Sequence, residues 1–222
     1  FPSSRQGVFG ALSVINNFPG ERMLALRERA AGTYYASAYF LAKITAETIF
    51  QLPLPIIFSC IVYFIIGYQH DASKFFIFMG VLILCSLSAT SLALMVSAIC
   101  RTTDLSVTVL PMALEVCRLF GGFFLSPKDL PGYFSWLDAL SYVKYSFVAL
   151  SLNEERGLEY TCTAAQEITV NGVTRCPIET GDDVLVSKGM QNWSIGGCCG
   201  VLVSYIIITR FFAYLGVRII KC

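Results

Sequence analysis

The chain has 222 residues; 55% are hydrophobic and 14% are charged, about half the charge of a typical soluble domain. Four stretches of about 20 residues carry almost no charge, more apolar length than a soluble core of this size could hide, so a soluble globular protein is excluded. The formal net charge of +1 says little by itself, because the charges are sorted by segment, and it points to no nucleic-acid partner.

Taken in chain order, residues 1–20 offer only Gln6 to Gly20 free of charge. As a helix that is about 22 Å, short of a hydrocarbon core of about 30 Å, so the segment reads as a partial membrane helix. Residues 21–33 follow with Glu21, Arg22, Arg27, Glu28 and Arg29, an amphipathic piece suited to a membrane interface. A helix is predicted from about Tyr35 to Ile66, with Lys43 and Glu47 four apart on one face. Pro53 and Pro55 interrupt it, and each removes a hydrogen bond and favours a kink.

The next uncharged stretch runs from Phe75 to Cys100, and Arg101 marks the short turn after it. Leu105 to Leu125 is broken only by Glu115 and Arg118, three apart and able to pair on one helical face. A charge inside a span is costly, so this pair is either a set of polar handles on a cavity wall or a structural pair buried between helices. Met112, Leu119 and Gly122 share its stripe.

Residues 126–192 carry five basic and nine acidic side chains. Within them, Pro131 to Asn153 is rich in aromatics and amphipathic, as expected of helices dipping into an interface. Cys162 and Cys176 are the two cysteines of this segment, and an oxidising exterior would pair them as a disulfide. A last span begins near 193 and ends in a tail with Arg218 and Lys221. If each stretch crosses once, the basic loops share one side, the cytoplasmic one, and 126–192 is extracellular. The only histidine is His70, so no metal site is expected. No G-x-x-x-x-G-K-[ST] loop occurs, so these residues hydrolyse no nucleotide by that route and no catalytic residue is expected among them.

Several strings occur together in register. Phe18-Pro19-Gly20-Glu21-Arg22, Arg27-Glu28-Arg29, Gly32-Thr33-Tyr34-Tyr35 and Tyr39-Phe40-Leu41-Ala42-Lys43 are followed by Gly121-Gly122-Phe123-Phe124-Leu125. Ser135-Trp136-Leu137, Tyr142, Tyr145, Asn153-Glu154, Gly157, Cys162 and Ala213-Tyr214-Leu215 with Arg218 complete the order. Together they resemble the membrane domain of subfamily G ABC transporters, of the white and breast cancer resistance protein type. The resemblance implies an all-α polytopic membrane protein of ABC-2 type, an exporter domain with a small disulfide-bonded extracellular loop.

It also implies an arrangement. Residues 1–20 would be part of the second transmembrane helix, and 21–33 the cytoplasmic coupling segment. Helices three to five would lie in 34–125, an extracellular loop with re-entrant helices in 126–192, and the last helix and tail in 193–222. Glu21, Arg22, Arg27, Glu28 and Arg29 would couple to an ATPase cassette of the full-length chain, where ATP and magnesium bind; no cofactor is expected in these residues. Phe9, Met112, Glu115, Arg118 and Leu119 would line a cavity on the axis of a homo- or heterodimer of half-transporters, with Phe123 and Phe124 as its gate. The implied function is ATP-driven efflux of lipophilic or amphipathic compounds, lipids, sterols, secondary metabolites or xenobiotics, by alternating access, and the implied site is the plasma membrane. Against it stand a secondary transporter, for which no paired inverted repeat is evident, and a channel, for which no filter loop is evident.

Overall fold

The computed structural model describes residues 35–69, 71–100, 103–122, 132, 135–160, 168–170, 173–175 and 180–219. Their elements are α1 (Ala36–Gln51), α2 (Pro53–Ile66), α3 (Ala72–Ile99), α4 (Thr103–Leu119), α5 (Ser135–Leu140) and α6 (Tyr142–Glu155). After these come β1 (Ile168–Val170), β2 (Val173–Arg175), α7 (Gly181–Ser187) and α8 (Ile195–Ile219). The two short strands pair antiparallel, Thr169 opposite Thr174.

Three helices are long and apolar enough to cross a membrane among the described residues: Ser37–Ile66, Ala72–Ile99 and Ile195–Arg218. The fourth stretch forms α4, whose 17 residues cover roughly 25 Å, less than the sequence stretch suggested. It ends early because the chain turns at Gly121 and Gly122, and Gly122 has φ 80°.

The predicted kink between α1 and α2 is a bend confined to Leu52, which keeps helical angles and donates its N–H to the Thr48 carbonyl at 3.2 Å. Pro53 then opens α2 at a position where a missing N–H costs least. Gly67, with φ 73°, caps α2 in the left-handed region, and the Asp71 carboxylate caps α3 by accepting from the Ser73 N–H. These caps make a tight α2–α3 hairpin.

α3 is the central helix. It packs against α8, α6, α2 and α4, and 56% of its best apolar window is buried inside the molecule, against 17% and 22% for the other two spans. Its buried side chains include Ser86, Ser88, Ala89, Thr90, Ser91, Ala93, Ser97 and Ala98. Small residues let helix backbones approach where lipid gives no hydrophobic push toward association. The approach is closest at α8, where a Cβ on Gly216 would stand 3.2 Å from the Cβ of Ala98. The hydroxyls are satisfied within the helix or across it: Ser88 donates to the Leu84 carbonyl at 2.8 Å, and Ser97 and Ser106 pair at 3.1 Å, tying α3 to α4.

α6 comes from the aromatic Pro131–Asn153 stretch. It packs against α3, α4, α7 and α8, with Tyr142, Val143, Lys144, Ser146, Val148, Ala149, Leu152, Asn153 and Glu154 buried. Its polar residues are tolerated because each finds a partner. Asn153 donates to the Lys74 carbonyl at 3.0 Å, the Gln69 amide donates to the Glu154 carbonyl at 3.0 Å, and Lys74 donates to the Arg156 carbonyl at 2.9 Å. These bonds latch the end of α6 to the α2–α3 hairpin, so Gly67, Glu155 and α7 gather at one end of the bundle.

Candidate functional site

α4 has two unlike faces. Ser106, Leu110 and Leu114, four residues apart, are buried against α3 and the core around it. On the other side Leu105, Val109, Met112, Val116 and Leu119 are exposed, Met112 to 69% and Leu119 to 47%. No described part of the chain covers this face. A helix that hides one face in its own bundle and leaves a second apolar face bare has that face for lipid, a partner or a ligand.

On the bare face Glu115 and Arg118 form the ion pair that their spacing predicts, at 3.3 Å. Their side chains are 56% and 35% exposed, so no described helix buries the pair. With Val116 and Leu119 they line a recess of about 310 Å³. Arg118 also sits in the last turn of α4, where a cation complements the carbonyl end of the helix. Beyond it, Ser141 donates to the Cys117 carbonyl at 2.6 Å, and Gly121 comes so close to α6 that an added Cβ would meet Val143 at 2.8 Å. The end of α4 is therefore held by α6, while its Met112–Leu119 stripe faces away.

A second polar site escaped the sequence reading. Arg210 of α8 donates through Nε to Ser91 of α3 and through Nη2 to Thr48 of α1, both at 3.1 Å. The neighbouring Glu47 carboxylate acts on the same guanidinium and is itself paired with Lys43 at 3.2 Å. Counted along each helix from the Gly67 end, Thr48, Ser91 and Arg210 lie roughly 27, 28 and 22 Å down, which puts one polar brace across three spans at a common depth. In the sequence, Arg210 only marks the end of an uncharged stretch. A third feature, an ion pair between Lys144 and Asp138, is nearly buried, and Lys144 also lies 5.7 Å from the Trp193 ring centre.

Met112, Glu115, Arg118 and Leu119 are thus brought together on one surface. Phe9, Glu21, Arg22, Arg27, Glu28, Arg29, Phe123, Phe124, Cys162 and Cys176 lie outside the described residues.

Comparison with known proteins agrees with this architecture. The ABC-2 type transporter family matches residues 6–154. ABC transporter G family member 1 of Dictyostelium discoideum is 30% identical over 94% of this chain and 26% of its own length. The ATP-binding protein/permease wht-1 of Caenorhabditis elegans is 40% identical over 60% of this chain and 20% of its own. The broad substrate specificity ATP-binding cassette transporter ABCG2 of Rattus norvegicus is 29% identical over 96% of this chain and 33% of its own. The chain therefore spans a fifth to a third of the length of these curated relatives.

Proposed function

This chain belongs to the ABC-2 type transporter family as the multi-pass transmembrane part of an ABCG-type transporter, and on that premise we propose that the full protein exports lipophilic or amphipathic compounds by alternating access. ATP and magnesium would act in a nucleotide-binding cassette of the full-length protein, and these residues would bind, gate and move. The observation that carries this reading is the bare face of α4, where a charged pair interrupts an apolar stripe.

In a dimer of two half-transporters, this face turns to the axis. Met112 and Leu119 supply apolar walls, and Glu115 and Arg118 supply handles for the polar part of an amphipathic substrate. Such handles discriminate because leaving a desolvated polar group unmatched is costly. Phe123 and Phe124 close the cavity above, and Phe9 adds to its wall. Residues 21–33, with Glu21, Arg22, Arg27, Glu28 and Arg29, lie on the cytoplasmic side and carry the cassette's rigid-body shift into the helices. The Gly67 end is then extracellular, where Cys162 and Cys176 pair as a disulfide. The protein resides in the plasma membrane.

The test is ATP-dependent uptake by inside-out vesicles holding the full-length protein, with a panel of amphipathic and purely apolar compounds. Replacing both charges (Glu115→Met with Arg118→Met) leaves ATP hydrolysis intact and shifts transport toward the apolar compounds. Unchanged transport of every compound would sink the cavity assignment.

A further inference from the structure

Away from the α4 face, a cavity of about 450 Å³ opens between α2, α3, α6 and α7. Its inner wall is apolar: Phe78 and Leu82 of α3, both nearly buried, and Phe147 and Leu150 of α6. Ile66 forms its edge and is half exposed, beside Ile65 and Phe64, which face outward. Charged groups of both signs crown it, Glu154 and Glu155 from the end of α6 and Lys188 from the end of α7.

Of these groups Lys188 has unused capacity, while Glu154 is partly engaged within the chain. One oxygen of Glu154 accepts from the Asn153 amide at 3.0 Å, and the carboxylate also has the Gln69 backbone N–H and the Lys74 ammonium beside it. The Lys188 ammonium has no ion-pair partner among the described residues. Burial pushes the Glu154 carboxyl above its ordinary value, and the Lys74 ammonium beside it offsets only part of that cost.

We propose that this cavity is a lipid site that takes a zwitterionic phospholipid, its acyl chain against Phe78, Leu82, Phe147 and Leu150 and its headgroup spanning the charges at the rim. The ammonium of the head meets Glu154 and Glu155, and the phosphate meets Lys188. A neutral diacylglycerol fills the apolar part alone, and an anionic headgroup meets two carboxylates with one lysine. The exposed Ile65–Ile66 edge gives the tail an entry from the bilayer. The inference rests on the sidedness proposed above, which makes the lipid one of the outer leaflet.

The full-length transporter, stripped of lipid in detergent, would be re-equilibrated with dioleoyl phosphatidylcholine, dioleoyl phosphatidylglycerol or dioleoylglycerol, and bound lipid counted by mass spectrometry. Phosphatidylcholine is expected to be retained about fivefold over either competitor, and Lys188→Glu to remove most of that preference. Leu150→Trp, which fills the cavity, should lower retention of all three. Should Leu150→Trp fail to fold, the exposed Lys188→Glu variant still decides the matter. Equal retention of all three lipids, or a preference untouched by Lys188→Glu, would overturn the site. A Lys188→Cys variant labelled on intact cells with an impermeant maleimide checks the side: no labelling overturns the outer-leaflet source, whatever the lipid selectivity.

Discussion

Arg210 and Ser91, 119 residues apart in sequence, are joined by a 3.1 Å hydrogen bond inside the bundle, and the same guanidinium reaches Thr48 on a third helix. Polar contacts between membrane helices contribute modestly, about 0.6 kcal/mol on average and up to about 1.7. Ser91→Ala and Thr48→Ala should therefore each lower the melting temperature of the purified full-length protein slightly. Arg210→Met should lower it more than either, because it removes both bonds at once and a cation beside Glu47. A double-mutant cycle between Ser91 and Arg210 measures the coupling, and an additive result would remove the brace from the account.

Gly181 is held against the end of α6. Its N–H donates to the Leu158 carbonyl at 2.9 Å, and a Cβ there would stand 2.0 Å from the Glu155 carbonyl oxygen. Gly181→Ala should undock α7 or cost about 1–3 kcal/mol through overpacking. Limited proteolysis of the full-length protein should show faster cutting near α7. Unchanged cutting and unchanged stability would show that this contact relaxes freely.

Lys144 and Asp138 test the cost of an unpaired buried charge. Lys144→Met alone leaves the carboxylate without its cation and should destabilise by about 3–5 kcal/mol, while Lys144→Met with Asp138→Leu should recover most of the loss. Thermal unfolding of the three proteins checks this. Equal loss in the single and double variants would contradict it.

Glu154 gives a pH dependence of defined sign. Burial raises its folded-state carboxyl above the ordinary 4.5, so in that window the folded protein holds more protons than the unfolded one. Stability from this group is therefore greatest below about 4.5 and falls as pH rises through the raised value. Glu154→Gln should remove that part of the slope, so the variant gains on wild type as pH rises toward 7. Parallel melting curves across pH would indicate that Glu154 titrates normally.

Much of the fold was legible from local chemistry. The bend at Leu52 follows from Pro53, and the Glu115–Arg118 pair from its spacing. What the sequence did not carry is how α6 satisfies its buried polar groups. The Asn153 amide donates to the Lys74 carbonyl and the Gln69 amide to the Glu154 backbone carbonyl, across roughly 80 positions of sequence, and no periodicity encodes such partners. Arg210 was missed for the same reason: a charge at the end of an apolar run reads as an interface anchor until the helices carrying Thr48 and Ser91 are placed beside it. Of the candidate site, the shared stripe of Met112, Glu115 and Leu119 was readable, but its exposure depended on which face of α4 the bundle consumed.

The central claim is that the bare face of α4 lines the axis of a dimer. Cysteine cross-linking in membranes holding the full-length transporter tests it most directly, with Met112→Cys on that face and Ile207→Cys on the exposed side of α8 as the lipid-facing control. A covalent dimer is expected from Met112→Cys and little from Ile207→Cys. Cross-linking through Ile207→Cys and none through Met112→Cys would contradict it.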